Sequence, residues 1–345
     1  YANGKRISNS MQTNGVLLDD AWGEFLHEHN VLIGISIDGP RELHDHYRQF
    51  RGGQGSFDAV MRGLETLRKH KVEFNTLTVV NAVNAREPLS VYRFLKEAGA
   101  VFLQFIPLVE RTATTHERES GQVLAGPPRL RSRRELRDVP AFCVSGPAYG
   151  RFLCAIFDAW VRQDVGRTYV QLFDVTLGNW VDAGPGLCVA SQYCGNAVII
   201  EHNGDVYSCD HFMYPSYLLG NVMTHELRSM VESEFQRKFG RDKFDALPDD
   251  CRACSFLRLC YGGCPKHRFL RTKSGQGGLN YLCAGYKKFF AHTAPAMHVM
   301  ADLLRRRQPP AQIMELLARQ DATGGQARNA PCPCGSGKKY KNCCG

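Results

Sequence analysis

No cysteine precedes Cys143 in this chain of 345 residues, although it carries fourteen, and twelve of them lie from Cys188 onward. A disulfide framework belongs to small secreted domains that lack a core, so a long cysteine-free first half argues against one. No apolar run reaches the ~18 residues that span a bilayer. No signal peptide is visible, and the opening "YANGKRISNS" is not a methionine start, so it reads as a position inside a longer chain. "GGQGS" (52–56) is not a full nucleotide fingerprint, and Lys338 is followed by Lys339 where a phosphate loop needs Ser or Thr. The basic runs "RLRSRRELR" (129–137), "RRR" (305–307) and "KKYK" (338–341) lack interleaved aromatics. They are read as solvated faces or mobile loops, with nucleic-acid binding the disfavoured alternative.

What is present is a core-forming composition: 43% hydrophobic and 22% charged residues, with a net charge of +9. The length allows two or three domains at ~150 residues each. In the first half, "SMQTNGVLL" (10–18), "VLIGISIDG" (31–39), "EFNTLTVVN" (73–81) and "VFLQFIPLV" (101–109) are short β-rich runs. Helical patterns separate them at 19–30, 56–70 and 87–99, the second with Ser56 as candidate N-cap and Val60, Leu64 and Leu67 on one face. Apolar strands alternating with helices predict an α/β fold of parallel units. In such folds the carboxyl ends of the strands carry the ligand site. Asn14, Ser36 and Asp38 stand at such ends, and turn-making explains Asn14 and Asp38 equally well.

Residues 111–147 show no sustained period and read as a loop; 150–165 return to helix, with Phe152, Ile156, Phe157 and Trp160 on one face. Cys143 and Cys154 read as packing or surface thiols. "AVIIEHNGDVYSCD" predicts two strands around an Asn203-Gly204 hairpin turn. "EFQRKFG" and "FFAHTAPAMHVMADLLRR" are helical, and 320–329 read as a linker.

Eight cysteines between 188 and 283 suffice for two four-ligand sites: Cys188, Cys194, Cys209, Cys251, Cys254, Cys260, Cys264 and Cys283. The Cys251-x-x-Cys254 pair suits any tetrahedral thiolate centre. On spacing alone, two structural zincs compete with two iron–sulfur clusters, and the wide gaps before Cys209 and Cys283 incline the reading towards clusters. Ligation of this kind fits a reducing cytoplasm, the expected location.

The run "CGNAVIIEHNGDVYSCDHF", then "LGN" (219–221) and "CRACSFLRLCYGGCPKHR", resembles the twin-cluster SPASM region of anaerobic sulfatase-maturating enzymes, which are radical S-adenosylmethionine (SAM) enzymes. "QTNGVLLDD", "GISIDGPRELHDHYR", "FNTLTVVN" and "FLQFIP" resemble successive strands of that family's partial (β/α)6 barrel, and the likeness covers about 8–290. It implies one auxiliary 4Fe–4S cluster on Cys188, Cys194, Cys209 and Cys264, and a second on Cys251, Cys254, Cys260 and Cys283. It implies that Asp210 is the catalytic base, against the plainer reading of an exposed turn carboxylate. The reaction implied is SAM-dependent oxidation of a cysteine or serine in a sulfatase polypeptide to Cα-formylglycine, with flavodoxin or ferredoxin as electron donor. Ser36 and Val109 match SAM contacts. Other SPASM peptide chemistry, a thioether or carbon–carbon crosslink, and a catalytically dead metal-stabilised binding protein are the alternatives.

The family's C-x-x-x-C-x-x-C motif for the SAM cluster does not occur among these residues, nor does the Gly-Gly-Glu strand. The barrel is thus expected to lack its first units, and the chain to be inactive by itself. The resulting division is barrel 1–125, loop and connecting helices 126–186, twin-cluster region 187–290, helix and linker 291–328, and tail 329–345. The tail "NAPCPCGSGKKYKNCCG" resembles the SEC-C zinc module, with Cys332, Cys334, Cys343 and Cys344 as ligands of one Zn2+ and a partner not named by the sequence. Four thiols in so few residues need a metal to supply the folding energy. A peptide of residues 329–345 is expected to take up one zinc and fold, followed by zinc titration with circular dichroism; no uptake would remove the module.

Overall fold

The computed structural model describes residues 4, 7–119, 121–128, 138–184, 186–322, 330–332 and 336–343. The arginine-rich run 129–137, Cys334 and Cys344 lie outside them. The chain divides into two compact units: residues 1–108, 151–174 and 292–345 form one, and residues 109–150 and 175–291 the other.

In the first unit, β1 (Ser10–Thr13), β2 (Leu32–Ser36), β3 (Phe74–Val80), β4 (Phe102–Pro107) and β5 (Tyr169–Val170) form one sheet in sequence order. Every pairing is parallel. The first four are the expected strands; β5 is two residues long, too short to leave a periodic signal. Helices α1 (Asp20–Glu28), α2 (Phe57–Lys69) and α3 (Pro88–Glu97) connect them, as a parallel sheet requires.

The two faces of the sheet differ. Ile33, Ile35, Thr76, Thr78, Leu103 and Phe105 are buried. The other face carries the register row Gln12–Gly34–Asn75–Phe102 and the row Ser36–Leu77–Gln104. Of these Ser36 is buried, Gly34, Asn75, Leu77 and Gln104 are half-buried, and Gln12 and Phe102 are exposed. This polar, open face is where such a fold presents ligands.

Helix α2 buries Val60, Leu64 and Leu67 as its spacing predicts. Ser56 precedes it but makes no capping hydrogen bond. Its hydroxyl instead donates to the Arg48 carbonyl at 2.9 Å and lies 3.1 Å from His44 Nε2, while Asp45 Oδ1 accepts from the Phe57 amide. A neighbouring carboxylate has taken the cap. Helix α4 (Gly146–Gln163) buries Phe152, Ile156, Phe157 and Trp160, with Phe152 edge-on to Phe105 at 5.2 Å. After it, Asp164 accepts from Tyr92 Oη and Lys96 Nζ, both at 2.7 Å, tying α3 to the loop before β5.

In the second unit, helix α5 (Gln171–Trp180), which begins in the first unit, leads towards the cysteine-rich region. There β6 (Ile199–Ile200), β7 (Asp205–Tyr207) and β8 (Leu218–Asn221) form an antiparallel sheet. The hairpin is present, but Glu201 bonds to Asp205, so three residues turn it where the Asn-Gly signal predicts two. "LGN" becomes the third strand. Helix α6 (Glu234–Asp245), the short pair β9 (Leu270–Arg271) and β10 (Gly277–Leu279), and helix α7 (Cys283–Arg305) follow; from residue 292 α7 belongs to the first unit, as does α8 (Ile313–Ala322). Among the described residues no helix is long and apolar enough to cross a membrane.

Gly63 of α2 packs on the turn after β1, where Gly15 has φ +76°. A Cβ at Gly63 would stand 2.1 Å from the Gly15 carbonyl oxygen, a backbone atom that cannot swing aside. Gly63→Ala is therefore expected to destabilise the protein by about 1–3 kcal/mol, the range for overpacking, read as a lower midpoint of urea unfolding; an unchanged midpoint would refute the close contact.

Candidate metal centre and catalytic site

Helix α6 would bury an apolar stripe if it were an ordinary surface helix. Its buried residues are instead Gln236, Gly240 and Lys243. Each grips backbone beside a cysteine. Gln236 Nε2 donates to the Gly195 carbonyl at 2.7 Å and the Ser208 carbonyl at 3.1 Å, neighbours of Cys194 and Cys209. Cys194 N donates to the Gly240 carbonyl, and a Cβ at Gly240 would meet the Cys194 carbonyl oxygen at 2.3 Å. Lys243 Nζ donates to the carbonyls of Val189, Ser191 and Tyr261. The first two flank the loop that starts at Cys188, and the third follows Cys260.

The stretch 251–264 is two single helical turns, Asp249–Arg252 and Leu257–Cys260, ended by a tight reversal. Tyr261, Gly262 and Gly263 have φ of +43°, +73° and +62°. Three consecutive left-handed residues explain the Gly-Gly pair, since that conformation costs glycine least. The reversal leaves carbonyls without regular partners, and two side chains collect them. Arg268 donates to Gly262 O (2.9 Å), Tyr261 O (2.6 Å), Gly263 O (3.1 Å) and Lys243 O (2.5 Å). Asn280 Nδ2 donates to Gly262 O and Cys264 O.

None of the eight thiols is bridged, and their electrostatic influence on one another sorts them into two foursomes. Burial raises the Cys264 thiol to about 12, with Cys188 and Cys194 raising it further, and burial and Asp210 raise Cys209, which also feels Cys264. Burial, with Cys283 and Cys251, pushes Cys260 to about 12, and burial, with Cys283 and Cys254, pushes Cys251 to about 11. Cys283 in turn feels Cys254. The influences stay inside Cys188/Cys194/Cys209/Cys264 and inside Cys251/Cys254/Cys260/Cys283. Thiols this reluctant to ionise need a strong positive centre to hold them as thiolates.

The second foursome lines a cavity of about 200 Å³ together with Phe256, Tyr286 and Phe290. Zinc would draw its thiolates to about 3.8 Å from one another, given Zn–S ~2.3 Å. A four-iron cube spreads its thiolates over separate irons, and a roomy cavity with an apolar wall fits it better.

Asp210 is exposed, at the start of a short 3-10 turn. Its Oδ1 lies 3.0 Å from Cys209 Sγ and accepts from the His211 amide at 3.0 Å. His211 Nδ1 is 3.2 Å from Cys264 Sγ. The carboxylate is thus open to an incoming group and one residue from a cysteine of the first foursome.

Ser36 ends β2 and is buried, and among the described residues its hydroxyl has no hydrogen-bond partner. Val109 is buried soon after β4. Asp38 is occupied by Arg48 (2.5 Å) and the Val79 amide (2.8 Å), and Asn14 by the Val16 amide, so both are turn and strand-end supports. Sequence reading missed Gln12, Asn75 and Gln104, whose position on the open face follows from strand alternation. It also missed Lys243, which sits at helical spacing from Gln236 and Gly240. In the tail, Cys332 is buried and its amide donates to the Lys338 carbonyl at 2.7 Å, while Cys343 Sγ lies 3.1 Å from Ser336 Oγ. Cys334 and Cys344, the other expected zinc ligands, lie outside the described residues.

Residues 2–95 match the radical SAM superfamily, residues 188–255 the SPASM iron-sulfur cluster-binding domain, and residues 328–345 the SEC-C motif. A serine-type anaerobic sulfatase-maturating enzyme of Bacteroides thetaiotaomicron is 48% identical over 92% of this chain and 75% of its own. A cysteine-type enzyme of Clostridium perfringens is 31% identical over 87% and 75%. A solved structure described as native anSMEcpe with bound AdoMet and Cp18Cys peptide superposes with a TM-score of 0.73, at 30% identity, over 87% of this chain and 78% of that one.

The chain, reconstituted anaerobically, is expected to hold about eight irons in two four-iron clusters, and Cys264→Ala about four. Iron and sulfide assays check both; near-zero iron in the unaltered chain would refute the foursomes as cluster sites.

Proposed function

The chain belongs to the anaerobic sulfatase-maturating enzymes, and from that premise we propose how its residues divide the oxidation of a sulfatase side chain to formylglycine. One observation carries the proposal: Cys251, Cys254, Cys260 and Cys283 line one cavity, and an exposed carboxylate, Asp210, lies 3.0 Å from Cys209 Sγ outside it. Cys188, Cys194, Cys209 and Cys264 would hold one auxiliary 4Fe–4S cluster, and Cys251, Cys254, Cys260 and Cys283 the other. Ser36, with its uncommitted hydroxyl, and Val109, which offers only backbone and an apolar surface, would contact SAM. When bound, SAM and the clusters supply hydrogen-atom abstraction from the side-chain carbon and acceptance of the electron that remains.

What is left for the polypeptide is a proton. Oxidation to the aldehyde level also takes the proton of the hydroxyl or thiol, and a positioned carboxylate is a suitable acceptor. Asp210 is held by the His211 amide, which fixes Oδ1 without consuming the second oxygen. The serine-type name of the 48% identical relative supports a serine target. The Cp18Cys peptide bound in the 30% identical structure supports a peptide substrate.

The domain division proposed is barrel 1–125, connecting segment 126–186, cluster region 187–290, helix and linker 291–328, and zinc-holding tail 329–345. A reducing cytoplasm, with flavodoxin or ferredoxin supplying electrons, is the setting that unbridged buried thiols support.

The test uses the enzyme including the segment that bears the C-x-x-x-C-x-x-C motif. Asp210→Asn is expected to lower formylglycine formation ~10²–10⁴-fold, with SAM cleavage and iron content retained. The loss should be larger for a serine peptide than for a cysteine peptide, because a hydroxyl gives up its proton far less readily. Loss of iron together with activity would make Asp210 structural, and no change in any assay would make it a bystander.

A further inference from the structure

Lys243 and Arg268 are 1% and 0% exposed, and neither is paired with an acid among the described residues. Lys243 Nζ meets three carbonyl oxygens, of Val189, Ser191 and Tyr261, which match the three N–H donors of an ammonium. Arg268 likewise spends its guanidinium on carbonyls, among them that of Lys243 itself at 2.5 Å. Both charged heads also reach the Tyr261 carbonyl, so the two cations are buried neighbours. Neutral amides would tie down carbonyls at far lower cost, as Gln236 and Asn280 do in the same region. Two adjacent buried cations without a counter-charge are among the most unfavourable arrangements a fold can hold.

The compensating charge is expected where the cations sit. Lys243 spans from the Cys188 loop to the residue after Cys260, so it touches backbone belonging to both foursomes. Arg268 holds the whole crossing segment Tyr261–Gly262–Gly263, which runs from Cys260 of one foursome to Cys264 of the other. Burial and Arg268 lower the Lys243 ammonium to about 8 and burial lowers the Arg268 guanidinium, while Cys194, Cys260 and Cys264 oppose the shift on Lys243 and the same three with Cys251 oppose it on Arg268.

We propose that Lys243 and Arg268 form a shared electrostatic counter-charge between the two auxiliary clusters, raising the reduction potential of both and easing electron passage from one to the other. This rests on the two-cluster assignment above. A cluster with four thiolates is an anion whose charge grows by one on reduction, so a fixed neighbouring cation stabilises the reduced form more than the oxidised one. A cation between two such anions also screens each from the other. On this view Lys243 is a positioning and tuning residue, in contact with neither substrate nor SAM.

The experiment is an EPR-monitored redox titration of the cluster-loaded chain, with iron assayed on the same samples. Lys243→Met keeps the length of the side chain and removes its charge. It is expected to lower the reduction equilibrium of both clusters about tenfold, a downward shift of about 59 mV for a one-electron couple, with eight irons retained. Lys243→Arg keeps the charge and is expected to leave both midpoints near the unaltered values. Unshifted midpoints in a fully loaded Lys243→Met, a shift confined to one cluster, or an equal shift in Lys243→Arg would overturn the proposal. Should Lys243→Met fail to load, Lys243→Gln, which retains an N–H donor without charge, is judged by the same criteria. Failure of the unaltered chain to load two clusters would instead overturn the cluster assignment itself.

Discussion

The second unit depends on a reversal of three left-handed residues. Tyr261, Gly262 and Gly263 reverse the chain between Cys260 and Cys264, four positions apart, which are proposed to serve different clusters. A backbone bent this way presents its carbonyls inward, where water does not reach them, and an unmet buried carbonyl is costly. Arg268, Lys243 and Asn280 meet them all. The buried polar side chains of this region are thus consequences of the turn. Within the odd composition of α6, Lys243 answers this turn, while Gln236 and Gly240 hold the backbone beside Cys194 and Cys209.

The first unit solves a different problem with ordinary means. Its sheet is buried on one face by helices and left open on the other, so alternation along each strand sorts side chains into core and ligand-facing sets. Ile33 and Ile35 go one way, and Gly34 and Ser36 the other. Asp38, fixed by Arg48 and the Val79 amide, holds the end of β2 against β3, so the residues at that end keep a defined position. Support of this kind costs a buried ion pair, which is tolerable because the carboxylate's oxygens are both used.

Much of this was legible in the residues. Four of the five strands and the three helices between them follow from period alone, because the runs are long and uniformly apolar. What escaped has identifiable causes. Two-residue β5 is shorter than any period. Ser56 stands where a cap belongs, but the Arg48 carbonyl and His44 compete for its hydroxyl and Asp45 supplies the cap from elsewhere in sequence. The hairpin took a three-residue turn although Asn203-Gly204 signals two. Spacing left zinc and iron in competition, and the division of eight cysteines came from family resemblance; the pattern of mutual influence among thiols runs along the same division. Lys243 was invisible as a site because a lysine in a charged helix reads as surface. Only the burial of its helical neighbours Gln236 and Gly240 gives it away.

The crossing turn also bears on how the region can be taken apart. The proposed ligands of the first cluster extend from Cys188 to Cys264 and those of the second from Cys251 to Cys283, so the two intervals overlap over residues 251–264. No excised segment that ends before Cys264 contains a complete ligand set. A cut before Cys251 removes Cys264 from the first set, and a cut after Cys264 removes Cys283 from the second. A minimal single-cluster mimic cannot therefore be obtained by trimming at either end: residues 188–264 would hold one full set but carry three stranded thiols of the other. The twin-cluster region is a single indivisible part, to be transplanted whole or not at all.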